Sequence, residues 1–170
     1  GNVFLYYGEE LGMKGSGKDE NKRAPMYWNK DGNAEGMCKG PADMDDFRMK
    51  FDSLEEQQED PDSIYNYVKQ VIRVRNQNPV IARGTTAYLE QYSGEQCFAL
   101  TRSYEGSNLL LLGNTSAEAV SVDLTGLTVG GTTAEELVLL GELYTGEETA
   151  ERAGTVVTLP AYSILILGEE

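Results

Sequence analysis

The side chains that could carry chemistry lie mostly in the first part of this 170-residue sequence. Glu9 and Glu10 directly follow an apolar run that begins at Val3 and ends at Tyr7. Two carboxylates can share acid–base work on a sugar only when they face each other, about 5 to 9 Å apart. Neighbouring residues of a strand point to opposite faces, so Glu9 and Glu10 do not form such a pair. They either line a site at the carboxyl end of a strand or form a solvated, helix-capping pair.

Arg23 and Trp28 stand in a long polar stretch and offer a second kind of chemistry. A guanidinium group is a rigid fork of donors for hydroxyls and carboxylates, and an indole offers a flat apolar face. Sugars combine rings of hydroxyls with apolar faces. The pair is therefore suited to a carbohydrate.

The composition excludes several classes of function. The chain has no histidine, which removes Ser-His-Asp and Cys-His nucleophile systems and histidine-ligated zinc. It has 14 Lys and Arg against 28 Asp and Glu, giving a net charge of −14 without any cluster of cations. Nucleic acids and anionic membranes are disfavoured as partners, because both need clustered positive charge. Carboxylates, hydroxyls and arginine remain as the chemical groups, and we expect no cofactor.

Metal binding and cysteine chemistry are weakly indicated. Cys38 and Cys97 form no CxxC pair, so two idle thiols are favoured, with a single disulfide as the alternative. Oxygen-rich stretches make calcium conceivable, but they lack the ligand spacing of a calcium loop. We expect solvated turns rather than a metal site at these residues, which are Asn29, Asp31, Asn33, Asp43, Asp45 and Asp46.

The elements that must position these residues follow from the pattern of the chain. The apolar run, residues 3–7, predicts a strand buried on both faces, and a long loop extends over residues 12–59. Asp60 and Pro61 predict the start of a helix, and Asn78-Pro79 its end. An aliphatic stripe on one face of this helix indicates packing against the core. Its residues are Ile64, Val68, Val71 and Arg75.

The remainder of the chain predicts a mainly β fold. Seven short segments either alternate apolar with polar residues or are continuously apolar, and turn signals separate them. They cover residues 85–92, 96–102, 109–112, 120–124, 137–143, 155–159 and 162–167. Seven strands without a second helix favour an antiparallel β-sandwich. We expect two domains, residues 1–79 and residues 80–170.

Two motifs resemble the alpha-amylase superfamily, glycoside hydrolase family 13. They are FLYYGEELGM at residues 4–13 and DENKRAPMYW at residues 19–28, and they are most similar to the alpha-glucosidase and oligosaccharide-hydrolase branch. The resemblance implies that residues 1–79 are the C-terminal remnant of a TIM barrel, with its eighth strand and final helix. Residues 80–170 would be the antiparallel C-terminal domain.

The same resemblance implies a function and a site. Members are retaining hydrolases of alpha-linked glucose oligosaccharides, and their three catalytic carboxylates come from the fourth, fifth and seventh barrel strands. These would lie upstream of Gly1, so we expect no catalytic residue and no activity in this chain alone. Arg23 would contact the hydroxyls of the glucose nearest the cleavage point, with Gly8 and Glu9 as floor and rim. Tyr27 departs from the glutamine common in the family.

The sequence also leaves other interpretations open. The β-sandwich is either a carbohydrate-binding module or a purely structural one, depending on whether its tyrosines bind glycan or pack inside. These are Tyr88, Tyr92, Tyr104 and Tyr144. We expect the apolar run to be covered by the chain's own helix and loop or by a second copy in a homodimer, with the homodimer favoured. No signal peptide opens the sequence, which leaves cytoplasmic and secreted locations open.

Overall fold

The computed structural model describes residues 2–169 and divides the chain into two compact units. The first comprises Asn2–Lys69 and the second begins at Gln70. Each unit is described by itself below. The domain boundary between residues 79 and 80 stays a prediction.

The apolar run departs from its predicted conformation. Residues 3–7 form no hydrogen-bonded strand, and their side chains are 45 to 90% exposed. A strand is stabilised by a neighbour that pairs its backbone groups, and the described residues provide no such neighbour. The prediction that residues 3–7 form a buried strand is therefore wrong for this chain by itself. The prediction that the chain's own helix and loop cover these residues is wrong as well. The homodimer stays a prediction.

Helix α1, Leu54–Glu59, was not predicted and is set by a capping box. The Ser53 hydroxyl accepts a hydrogen bond from the Glu56 backbone N–H at 3.5 Å, and the Glu56 carboxylate accepts from the Ser53 N–H at 3.1 Å. This reciprocal arrangement satisfies two backbone donors at the helix start. Ser53 is fully buried, whereas the Glu56 side chain stays partly exposed, so only the serine side of the cap is shielded from water.

Helix α2, Ile64–Gln77, begins later than predicted. Asp60 directly follows α1 as its C-terminal cap residue, and its carboxylate accepts from the backbone N–H of Asp62. The Ser63 hydroxyl accepts from the Asn66 N–H at 3.2 Å, so Ser63 takes the capping role assigned to Asp60. The end of the helix at Asn78-Pro79 is confirmed, and Pro79 opens a further short helix, α3, Pro79–Arg83.

Residues 70–169 of the second unit contain ten strands, which are antiparallel and include all seven predicted segments. Their bounds are β1 Thr85–Tyr88, β2 Cys97–Tyr104, β3 Ser107–Asn114, β4 Val120–Asp123, β5 Thr128–Val129, β6 Thr132–Thr133, β7 Val138–Leu143, β8 Glu151–Ala153, β9 Val156–Leu159 and β10 Ile164–Gly168. One sheet has the order β1-β2-β3-β10-β7 and another the order β4-β9-β8, while β5 and β6 pair separately. The strands β5, β6 and β8 were not predicted.

The two larger sheets enclose the main core, which confirms the antiparallel sandwich. Leu110 and Leu112 of β3 and Leu167 of β10 pack into the same buried cluster as Val157 and Leu159 of β9. Burying an aliphatic side chain of this size stabilises the fold by about 1.5 to 3 kcal/mol. Every second residue of these strands therefore faces the main core and stabilises the sandwich by its burial.

A smaller core covers another part of the five-stranded sheet. Val80 of α3 packs with Leu109 of β3 and Ile166 of β10, and Val74 of α2 joins them at half burial. No residue of α2 is fully buried, and the four residues of the predicted stripe are each half-buried, so the stripe is only partly covered. Within residues 2–169, no helix is long and apolar enough to span a membrane.

Candidate functional site

The turn after the apolar run is built around Gly8. Its φ of +87° is a left-handed conformation that favours glycine, and the residue is buried. A Cβ at this position would lie 2.6 Å from the Met13 Sδ. The backbone N–H groups of Leu11 and Met13 both donate to the Gly8 carbonyl, which closes the turn. A residue with a side chain therefore meets both a backbone and a packing obstacle here.

Glu9 and Glu10 open a short 3-10 helix, Glu9–Leu11, rather than continuing a strand. The Glu10 carboxylate turns back and accepts from the backbone N–H of Gly8 at 2.9 Å. Glu9 is exposed at the surface of the turn. The two carboxylates thus have different roles, because Glu10 stabilises the turn while Glu9 is available to a ligand.

Arg23 is the last residue of a second 3-10 helix, Asp19–Arg23. Its Nη2 lies 3.6 Å from a carboxylate oxygen of Glu20, and its Nε donates to the Asp19 carbonyl at 3.4 Å. The side chain remains 57% exposed. Its polar contacts lie within its own turn and are long, so the guanidinium keeps donors free for a ligand.

Asn21 fixes the start of this segment and was missed by the sequence analysis. It is buried, and its amide donates to the Ser16 carbonyl and the Asp45 carboxylate, each at 2.8 Å. Its side-chain oxygen accepts from the Asp45 N–H at 2.9 Å. Hydrogen bonds from Lys18 and from Asn21 lower the pKa of Asp45, which favours the charged acceptor. A single buried amide therefore ties three stretches of loop together.

Two tyrosines of the apolar run donate hydrogen bonds to the backbone around the end of the Asp19–Arg23 helix. Tyr7 donates to the Ala24 carbonyl at 2.9 Å, and Tyr6 donates to the Lys22 carbonyl at 3.5 Å. Their ring centroids lie 4.8 Å apart. Burial and then the neighbouring Tyr6 raise the pKa of Tyr7, so its hydroxyl stays protonated and able to donate.

A cleft of about 310 Å³ lies among these elements. Gly8, Glu9 and Lys22 line it, together with the two tyrosines. Arg23 is not among the residues that line the cleft, although its neighbours Lys22 and Ala24 are. Of the three sequence-predicted site residues, the cleft therefore brings together Gly8 and Glu9. Its mixture of aromatic rings, backbone groups and a carboxylate is suited to a polar ligand with apolar faces.

A second, wider cleft of about 780 Å³ is lined by residues between Ala24 and Asp52. Among its lining residues are Lys30 and Phe51. The oxygen-rich residues considered for calcium are partly engaged elsewhere, since Asn29 and Asn33 bond to each other and Asp45 pairs with Lys18. Among residues 2–169, no group of three His, Cys, Asp or Glu is placed to hold a metal ion.

Comparison with known proteins agrees with the motifs. The family described as the alpha-amylase catalytic domain matches residues 1–84. The structure of Amy13B from Eubacterium rectale superposes on all of this chain with a TM-score of 0.91 at 41% identity. The chain belongs to the alpha-amylase family. It covers 32% of Amy13B.

Two curated relatives show the same partial coverage. Alpha-amylase 3 of Dictyoglomus thermophilum is 32% identical over 84 residues, which are 49% of this chain and 17% of that protein. Oligo-1,6-glucosidase of a Bacillus species is 30% identical over 149 residues, which are 65% of this chain and 29% of that protein. The chain thus spans less than a third of the length of these relatives.

Three of the four sandwich tyrosines in this alpha-amylase-family chain are used internally. Tyr92 packs against the main core and donates to the Thr125 carbonyl, and Tyr104 packs against the smaller core. The Tyr144 hydroxyl donates to the Glu142 carboxylate and accepts from the Ala150 N–H. Tyr92 and Tyr104 therefore pack as the structural alternative predicts, and glycan binding by the sandwich stays a prediction. Tyr88, in contrast, is 58% exposed.

Proposed function

We propose that this chain is the C-terminal part of a retaining glycoside hydrolase that acts on alpha-linked glucose oligosaccharides. The observation that carries the proposal is the similarity of the whole chain to Amy13B, at 41% identity. Such an enzyme works through a glycosyl-enzyme intermediate formed by a carboxylate nucleophile. Within the family, the motif at residues 19–28 favours the alpha-glucosidase and oligosaccharide-hydrolase branch, and the similarity to an oligo-1,6-glucosidase supports this.

The proposal also assigns the position of the chain in such an enzyme. The catalytic-domain match over residues 1–84 supports a role for the first unit and α2 as the end of a barrel. The apolar run is then the strand whose neighbours lie in the preceding sequence, which accounts for its exposure here. In this arrangement the nucleophile and the general acid are supplied by the preceding sequence, and the 170-residue chain alone has no hydrolytic activity.

Arg23, Gly8 and Glu9 are proposed to contact the glucose residue nearest the cleavage point. Arg23 has an exposed donor fork, which suits the hydroxyls of a sugar, and hydrogen bonds from a charged donor are among the stronger ones. Gly8 lines the cleft with backbone atoms only, because the place that a Cβ would take is occupied by the Met13 side chain. Glu9 places an exposed acceptor at its rim.

The test is an Arg23→Lys variant of the intact enzyme that contains this chain, assayed on maltose and isomaltose. Lysine keeps the charge but loses the fork, so we expect kcat/KM to fall by about 10- to 100-fold, as for the loss of a hydrogen bond to a charged group. Lys30→Arg in the wider cleft is the control and should leave kcat/KM unchanged. An Arg23→Lys enzyme with wild-type kcat/KM would exclude the assigned sugar contact.

The inactivity of the chain is tested separately. The purified 170-residue protein should not hydrolyse maltose, isomaltose or p-nitrophenyl alpha-glucoside above the buffer rate. Turnover that disappears in an Arg23→Lys variant would contradict the assignment of the catalytic carboxylates to other sequence.

A further inference from the structure

We infer that Tyr7 is a positioning residue for Arg23, with Tyr6 as a weaker second anchor. The inference rests on the proposed sugar-binding role of Arg23. It concerns how the chain holds Arg23 at a fixed position relative to Gly8 and Glu9.

The hydrogen bond of Tyr7 connects the two halves of the proposed site. Tyr7 directly precedes Gly8, and its hydroxyl donates to the carbonyl of Ala24, the residue after Arg23, at 2.9 Å. This is within the ordinary range for an O–H···O bond. The turn that carries Gly8 and Glu9 is therefore joined through one side chain to the backbone beside Arg23.

Among residues 2–169, Arg23 has no anchor of its own that is comparable with this bond. Its polar contacts, to Glu20 and the Asp19 carbonyl, lie within the same short helix and move with it. Asn21 ties that helix to Ser16 and Asp45, which fixes its beginning and middle. The end of the helix, where Arg23 lies, is held by the tyrosine.

Tyr6 supports the same arrangement more weakly. Its hydroxyl reaches the carbonyl of Lys22, on the other side of Arg23, but at 3.5 Å this bond is at the long limit. Its ring contacts the ring of Tyr7. The two hydroxyls thus reach the backbone on both sides of Arg23, with Tyr7 as the dominant anchor.

The test compares Tyr7→Phe with Tyr27→Phe in the full 170-residue chain. Both variants remove a hydroxyl that donates to a backbone carbonyl, but Tyr27 bonds to Lys30, outside the Arg23 segment. One readout is the NMR signal of the Arg23 Nε–H group, which reports the surroundings of the guanidinium. The other is the rate of trypsin cleavage after Arg23, followed by mass spectrometry.

We expect Tyr7→Phe to shift the Arg23 signal and to speed cleavage about fivefold, the factor that corresponds to a hydrogen bond of about 1 kcal/mol. Tyr6→Phe should have a smaller effect in the same direction, and Tyr27→Phe none on either readout. Circular dichroism verifies that each variant is folded. Should Tyr7→Phe lose its native spectrum, the comparison of Tyr6→Phe with Tyr27→Phe decides the question.

An unchanged Arg23 signal and cleavage rate in folded Tyr7→Phe would overturn the inference. The proposed function fails independently, when Arg23→Lys leaves kcat/KM of the intact enzyme unchanged. A Tyr7→Phe effect without a sugar effect of Arg23 would retain the positioning and reject the sugar contact. The opposite combination would retain the sugar contact and reject the positioning.

Discussion

Gly8→Ala separates the two reasons for a glycine in the turn after Tyr7. The left-handed φ of +87° costs an alanine about 1 to 2 kcal/mol. The new Cβ would also meet the Met13 Sδ at 2.6 Å, and overpacking of this kind costs about 1 to 3 kcal/mol. We therefore expect Gly8→Ala to lower the free energy of unfolding of the first unit by about 2 to 5 kcal/mol.

The matched control is Gly36→Ala. Gly36 has a similar φ of +75°, but a Cβ there would meet nothing within 4 Å. It should cost only the backbone penalty of about 1 to 2 kcal/mol. Urea unfolding followed by the fluorescence of Trp28, the only tryptophan of the chain, measures both variants in the same unit. If the two costs agree within about 0.5 kcal/mol, the packing against Met13 contributes nothing and the reasoning is refuted.

In the sandwich, Gly113→Ala should be strongly destabilising in thermal unfolding, because a Cβ there would lie 2.1 Å from the Phe98 ring. Gly146→Ala is the control and should leave the stability unchanged, because a Cβ there would meet nothing within 4 Å. Ser53→Ala should lower stability by about 0.5 to 2 kcal/mol through loss of the cap. Hydrogen bonds from Ser53 lower the pKa of Glu56 in the folded protein. The Glu56 carboxylate therefore stabilises the fold at pH values above the ordinary pKa of a glutamate, and this stabilisation is lost as the pH falls through the lowered pKa. Ser53→Ala should raise that pKa, as measured by carboxyl-carbon NMR, and an unchanged value would contradict the cap. The apolar run should pair with a second copy, and light scattering that shows a monomer at every concentration would disprove this homodimer.

The sequence predicted the sandwich because its signal is local. Segments such as residues 109–112 and 120–124 alternate or are continuously apolar, and glycines or polar turns separate them. Strands of two or three residues, such as β5 and β8, are too short to show a period. The capping box from Ser53 to Glu56 could have been read from its spacing and would have located α1.

The site was only partly predictable for a physical reason. Gly8, Glu9 and Arg23 belong to motifs that can be read along the chain. The anchors that hold them are not local, since Tyr7 reaches 17 residues ahead and Asn21 bonds to a residue 24 positions away. The prediction of a buried strand at residues 3–7 was wrong because burial depends on which neighbouring elements are present. A sequence pattern gives only the preference of each side chain for burial.

Strand β10 has a consequence for the order in which the sheet can be completed. It follows every other strand in the sequence, yet it lies inside the five-stranded sheet, between β3 and β7. As the polypeptide leaves the ribosome, β1, β2 and β3 can pair as consecutive neighbours, while β7 has no place in that sheet. Both β3 and β7 then present open edges until residues 164–168 emerge and fill the gap. Removing residues 164–168 would therefore not take away an edge strand but would divide the sheet into two parts.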